Sequence, residues 1–179
     1  RIRVRKESFS DHTHTGVMIA LSVPQDTAKK LLASIKNKLA GVELEAIDEL
    51  HITLAYLGDV SEKQMAISKE ATESLLRVFA KGHAQLRGQI GGIAKFNPGE
   101  NGIPLVALFD CPELPRFRQD LVTILKAGGA EIDETHGFVP HITLAYLPKD
   151  YDKAIPKIDP LPIVFSDIVL AWSGKWNEL

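Results

Sequence analysis

His51-Ile52-Thr53-Leu54-Ala55-Tyr56-Leu57 and His141-Ile142-Thr143-Leu144-Ala145-Tyr146-Leu147 are the same seven residues, set ninety positions apart. The apolar segments before them keep step: Gly16 lies 35 residues ahead of His51, and Ile103 lies 38 ahead of His141. An offset held across two elements marks duplicated half-domains rather than a chance match. A solenoid needs three or more repeats of about 20–50 residues, so two lobes related by pseudo-symmetry fit better.

Working outward, each half reads strand, helix, strand. Residues 16–23 (GVMIALSV) form a short apolar run stopped by Pro24, as a buried strand would be. Asp26 is placed to cap a helix carrying Ala28, Leu31, Leu32, Ile35 and Leu39 at helical spacing, with Gly41 as its stop. After the first heptapeptide the chain breaks at Gly58-Asp59. Ser61 and Gln64 then have capping-box spacing for a helix running to about Ala80. Residues 85–96 read as a strand interrupted at Gly91-Gly92. The pattern restarts with strand 103–110 (IPLVALFD) and a helix from about Pro115. That helix buries Phe117, Leu121, Ile124 and Leu125 and ends at Gly128-Gly129. Residues 161–172 read as a strand pair turning near Ser166-Asp167. Residues 1–14 are polar and mixed, an N-terminal arm or linker, so the domain is expected to span 15–179. The fold class expected is α+β: antiparallel sheets of two lobes lining a cleft, with helices outside.

In a regular strand alternate side chains share a face. His51, Thr53 and Ala55 then point one way, and Ile52, Leu54 and Tyr56 the other. The same holds for His141, Thr143 and Ala145 in the second copy. The aliphatic side belongs to the core, and Tyr56 and Tyr146 are expected there. The other side offers an imidazole, a hydroxyl and the space beside a small alanine. Two such strands side by side would turn two imidazoles and two hydroxyls toward one cleft. This set suits phosphodiester chemistry. A neutral imidazole takes a proton from water or a ribose hydroxyl, and an imidazolium returns one to the leaving oxygen, each step worth about 10²–10⁴-fold. Histidine, with an ordinary pKa of about 6.5, serves in either role near neutrality. The threonine hydroxyls can donate to non-bridging phosphate oxygens. The set needs no metal and no cofactor.

Composition narrows the partners. With 45% hydrophobic and 25% charged residues over 179 positions, the chain has the make-up of a globular domain with a sizeable core. No apolar run approaches the roughly 20 residues of a membrane span, and the basic start has no apolar stretch behind it, so neither a membrane nor a secretory signal is expected. The net charge of −2 demands no basic face for a long polyanion and favours a small ligand, a ribonucleotide or an RNA end. One cysteine, Cys111, forms no internal disulfide, which points to a reducing, cytoplasmic setting. No obligate protein partner is implied. The first residue is Arg rather than Met, which suggests processing or fusion to a preceding domain.

Two H-x-T motifs in a bilobal chain of this length resemble the 2H phosphoesterase superfamily, which includes the 2′-5′ RNA ligase-like proteins and cyclic nucleotide phosphodiesterases. The resemblance runs over residues 15–172. It rests on VMIALSVP, on ELHITLAYLG and on FVPHITLAYL with its aromatic-x-proline lead. It implies two antiparallel sheets flanking a cleft, catalysis at His51 and His141, and phosphate binding by Thr53 and Thr143. It also implies hydrolysis or formation of 2′-linked phosphodiesters: a 2′,3′-cyclic phosphate, a 2′-5′ linkage or a cyclic oligonucleotide.

Phe96 and Trp172 are the aromatics placed to contact a base, although both also suit a core or rim. His12 and His14 have a metal-ligand spacing but no further ligands nearby. His136 reads as loop decoration, His83 as a partner of a helix C-terminus, and Cys111 as a half-buried small residue. Two alternatives stand beside the enzyme: a non-catalytic nucleotide- or RNA-binding module, and an accessory domain of a longer polyprotein.

Overall fold

The computed structural model describes residues 1–5, 16–60, 65–135 and 137–172. In chain order they form β1 (Arg3–Arg5), β2 (Gly16–Ser22), α1 (Gln25–Lys36), β3 (His51–Asp59), α2 (Lys69–Lys81), β4 (Leu86–Lys95), β5 (Ile103–Asp110), α3 (Leu114–Ala127), β6 (His141–Leu147), β7 (Leu161–Phe165) and β8 (Asp167–Trp172). The strands make two four-stranded sheets, ordered β1-β8-β2-β3 and β6-β5-β4-β7. Neighbours are antiparallel except β1 and β8. This is the two-lobed α+β architecture that the duplicated pattern predicts, and each heptapeptide strand stands at the edge of its own sheet.

Burial of one continuous apolar face explains the strands, and the middle strands β2 and β5 are covered in part on the other face as well, at Ala20 and Val106. Val17, Ile19 and Leu21 of β2, and Leu105 and Ala107 of β5, are fully buried on one face. The helices add Leu31 and Ile35 from α1, Leu76 and Phe79 from α2, and Leu114, Phe117 and Leu121 from α3. Each such side chain contributes about 1.5–3 kcal/mol of transfer free energy. Helix α2 lies against β1 and β8, and α3 packs on α2 and reaches β3. Among the described residues no helix is long and apolar enough to cross a membrane.

Five local readings change, the first being that helix α1 ends at Lys36, short of Leu39 and Gly41. Helix α1 begins after Pro24 with no side-chain cap, and Asp26 lies in its first turn, where a carboxylate complements the helix dipole. Helix α2 starts at Lys69, capped by Ser68, whose Oγ accepts from the Ala71 N–H at 3.1 Å. Ser61 and Gln64 lie outside the described residues. Strands β7 and β8 are not a hairpin. Only Ser166 separates them, too little for a hairpin loop, and the chain passes there from the second sheet to the first. Part of the expected arm is folded: Ile2 is buried, its N–H donates to the His83 carbonyl at 3.2 Å, and Arg3–Arg5 pairs with β8.

Candidate functional site

The two heptapeptides depart from a regular pleat at the same point. Along β3, His51 lies opposite Ser22, Ile52 opposite Leu21 and Thr53 opposite Ala20, but Ala20's neighbour Ile19 faces Ala55, and Met18 faces Tyr56. Leu54 is left over. Along β6, His141 faces Leu108, Ile142 faces Ala107 and Thr143 faces Val106, after which Leu105 faces Ala145 and Pro104 faces Tyr146. Here Leu144 is left over. Each strand thus carries a β-bulge one residue past its threonine.

An extra residue reverses the alternation beyond it. Leu54 and Ala55 are both buried, as are Leu144 and Ala145, whereas Tyr56 and Tyr146 are each 42% exposed. The tyrosines therefore share the open face with His and Thr, and the alanines belong to the core, the opposite of the alternation-based expectation. The signal was present in the sequence. Strict alternation puts Leu57 and Leu147 on the histidine face, and a bulge returns both to the interior, where they are found.

The bulges are held from outside their own sheets. The Leu144 carbonyl accepts the Glu45 N–H at 2.8 Å, and Leu44 bridges to Ala145. The Leu54 carbonyl accepts Nε–H of Arg118, on α3, at 3.1 Å. The Asp133 N–H donates to the Tyr56 carbonyl at 3.4 Å. The segment leading into each heptapeptide strand thus lies along the other heptapeptide strand, and β3 and β6 pack against one another. Arg118 and the two tyrosines are the residues at the site that alternation alone does not reveal.

Both imidazoles are fixed in the same way. His51 Nδ1 lies 2.6 Å from the Glu49 carbonyl oxygen, and His141 Nδ1 lies 2.7 Å from that of Val139. A carbonyl only accepts, so Nδ1 carries the hydrogen and Nε2 of the neutral ring is the basic nitrogen. Both rings are half-buried, as are Thr53 and Thr143. Thr53 Oγ1 donates to Met18 Sδ at 3.0 Å, a weak acceptor. Phe96 continues the β4 ladder through its N–H to the Pro104 carbonyl at 3.0 Å, and its ring meets that of His141 with centroids 4.6 Å apart.

Other candidates lie elsewhere. Trp172 is opposite fully buried Val17 and packs on the core, on the face away from the histidines. Cys111 is buried at the β5–α3 junction, and burial, with Glu113 accepting from its Sγ, pushes the thiol pKa up. His83 Nδ1 donates to the Phe79 carbonyl at 2.8 Å and its ring stacks on Phe79, anchoring the end of α2. His12, His14 and His136 lie outside the described residues. Among those described, no three His, Cys, Asp or Glu side chains gather as a metal site would require.

No curated protein is significantly similar to the chain in sequence. Solved structures are similar in fold. The TT0787 protein of Thermus thermophilus has a TM-score of 0.60 at 22% identity, covering 83% of this chain and 84% of its own. A crystal structure described only as a phosphoesterase has a TM-score of 0.58 at 18% identity, covering 84% of each chain. Escherichia coli LigT complexed with 3′-AMP has a TM-score of 0.58 at 18% identity, covering 83% of each chain. The family model described as the 2′-5′ RNA ligase superfamily matches residues 24–174, spanning both His–Thr strands, and the chain belongs to that superfamily.

Proposed function

We propose that the protein is a phosphodiesterase acting on a 2′-linked ribonucleotide phosphodiester by general acid–base catalysis from His51 and His141. One imidazole, neutral at Nε2, takes a proton from the attacking water. The water oxygen bonds to phosphorus, the bond from phosphorus to the leaving ribose oxygen breaks, and the second imidazole, protonated at Nε2, supplies that oxygen with a proton. The hydroxyls of Thr53 and Thr143 donate to the non-bridging oxygens. Thr53 gives up only a thioether contact to do so. Phe96, beside His141, is the surface for the base.

One observation carries this reading: the same Nδ1–carbonyl bond, with the same bulge beyond the threonine, is built twice, once in each edge strand. Duplicated core packing requires neither feature. Superfamily membership supports it, and LigT, a neighbour in fold, has been crystallised with the ribonucleotides 3′-AMP and NADP+. The single cysteine fits work in a reducing compartment such as the cytoplasm. A panel of 2′,3′-cyclic, 2′-5′-linked and cyclic-oligonucleotide substrates tests the proposal. Turnover of at least one, unchanged by EDTA, is expected. Nucleotide binding with no product from any of them would overturn it in favour of a binding module.

A further inference from the structure

We infer that Arg118 is a positioning residue that ties the two His–Thr strands together, so that neither half-site is set independently of the other. Only the kinetic consequence of this inference rests on the two-histidine reading.

Arg118 projects from α3, and its side chain is only 14% exposed. A guanidinium taken this far from water must recover its hydration elsewhere. It does so on both sides of the site. Nε donates to the Leu54 carbonyl at 3.1 Å, in the β3 bulge and one residue beyond Thr53. Nη1 lies 3.6 Å from Glu134 Oε1, and the guanidinium carbon sits 4.8 Å from the centre of the Phe138 ring. Glu134 and Phe138 belong to the segment that runs into β6. Phe138 directly precedes Val139, whose carbonyl holds His141 Nδ1. One rigid fork therefore touches the peptide that sets the first threonine and the segment that sets the second histidine.

Glu134 also binds Lys126, and these two cations hold its carboxyl below the usual carboxylate range, so it is ionised as a partner for Arg118. The equivalent carbonyl in β6, that of Leu144, is held instead by a backbone N–H, that of Glu45. The two bulges are thus built alike but pinned differently: among the described residues, the β3 bulge is held by a side chain that also grips the other half, and the β6 bulge by a backbone N–H. A lysine could keep the charge but not the fork, because a point donor on a flexible stem cannot serve the carbonyl, Glu134 and the ring face together. Misplacement of reacting groups by about 1 Å can cost on the order of 10²-fold in rate.

The test compares Arg118→Met and Arg118→Lys with Arg116→Met, a control on the same helix whose side chain is 90% exposed. The first readout needs no substrate: the Cε1–H resonances of His51 and His141 in the intact protein. Arg118→Met is expected to move both, with the core methyl spectrum retained. Arg118→Lys should move them less, and Arg116→Met should leave them in place. With a turned-over substrate, Arg118→Met should lower kcat by about 10–100-fold and change KM by no more than about threefold. Unmoved histidine resonances in Arg118→Met would overturn the inference. So would a kcat loss that only tracks the lost folded fraction. Should Arg118→Met fail to fold, the Arg118→Lys resonances decide in the same way. If the wild type turned over no substrate, the functional proposal would fail while the resonances still judged Arg118.

Discussion

The ring of Phe96 meets that of His141 with centroids 4.6 Å apart and planes inclined at 65°. The two half-sites are therefore alike in motif but not in surroundings. Apolar Leu108 lies across from His141, and polar Ser22 lies across from His51. A base docking on Phe96 would bring its ribose toward His141. Stacking on an aromatic side chain is worth about 1–3 kcal/mol per base. Phe96→Ala should therefore raise KM for a nucleoside cyclic phosphate by about tenfold and leave that of a base-free ribose cyclic phosphate nearly unchanged. Equal effects on both substrates would remove Phe96 as the base surface.

Thr53→Val and Thr143→Val keep side-chain shape but delete the donors. Loss of one donor to a developing anionic oxygen costs about 10²–10³ in kcat. Each variant should show that loss at little cost in thermal stability. Unchanged kcat in either would mean that its hydroxyl does not face the phosphate.

Two glycines beside the tyrosines separate crowding from strain. A Cβ on Gly16 would come within 2.8 Å of Tyr56 Cε2, and the end of that side chain can swing aside. Gly102 has φ +116°, and a Cβ there would meet the Leu147 carbonyl oxygen, which cannot move without disturbing β6. Gly102→Ala should lose at least about 1–3 kcal/mol of stability through backbone strain. Gly16→Ala should unfold close to wild type while displacing the Tyr56 ring. Urea unfolding checks the first and the Tyr56 ring resonances the second.

Burial holds the Cys111 thiol pKa above its ordinary value. The folded chain thus keeps this proton to higher pH than the unfolded chain. The resulting stability is fully present below the unfolded thiol's pKa of about 8.5 and is lost as pH rises through the folded value. Across pH 7 to 10, melting temperature should fall more steeply for wild type than for Cys111→Ala. Tyr146, whose phenol pKa is also raised, chiefly by burial, is common to both proteins and cancels in the difference. Parallel curves would contradict the assignment.

Much of the fold was legible because hydrophobic period and duplication act locally. The spacing of Leu31, Leu32 and Ile35 predicts α1, and that of Phe117, Leu121 and Leu125 predicts α3. The repeated heptapeptide predicts two lobes with a His–Thr strand in each. The misreadings in and around the heptapeptide strands share one cause: they depend on what lies across the strand. Parity holds only along an unbroken pleat, so it puts Tyr56 and Tyr146 in the core; Leu57 and Leu147 signal a break, and the pairing with β2 and β5 places it. Trp172 sits at the end of a strand as expected, but its face is decided by its register with Val17. The short β1 alternates charge with a single valine and has no periodicity to read. Arg118 reaches a carbonyl 64 residues away in the chain, and a backbone acceptor leaves no side-chain signature.

The most direct test of the account is single-turnover kinetics of His51→Ala, His141→Ala and the double variant on the best substrate of the panel. Two imidazoles acting as one acid–base pair predict a loss of about 10²–10⁴-fold in each single variant, and little further loss in the double. Wild-type turnover in either single variant would contradict it.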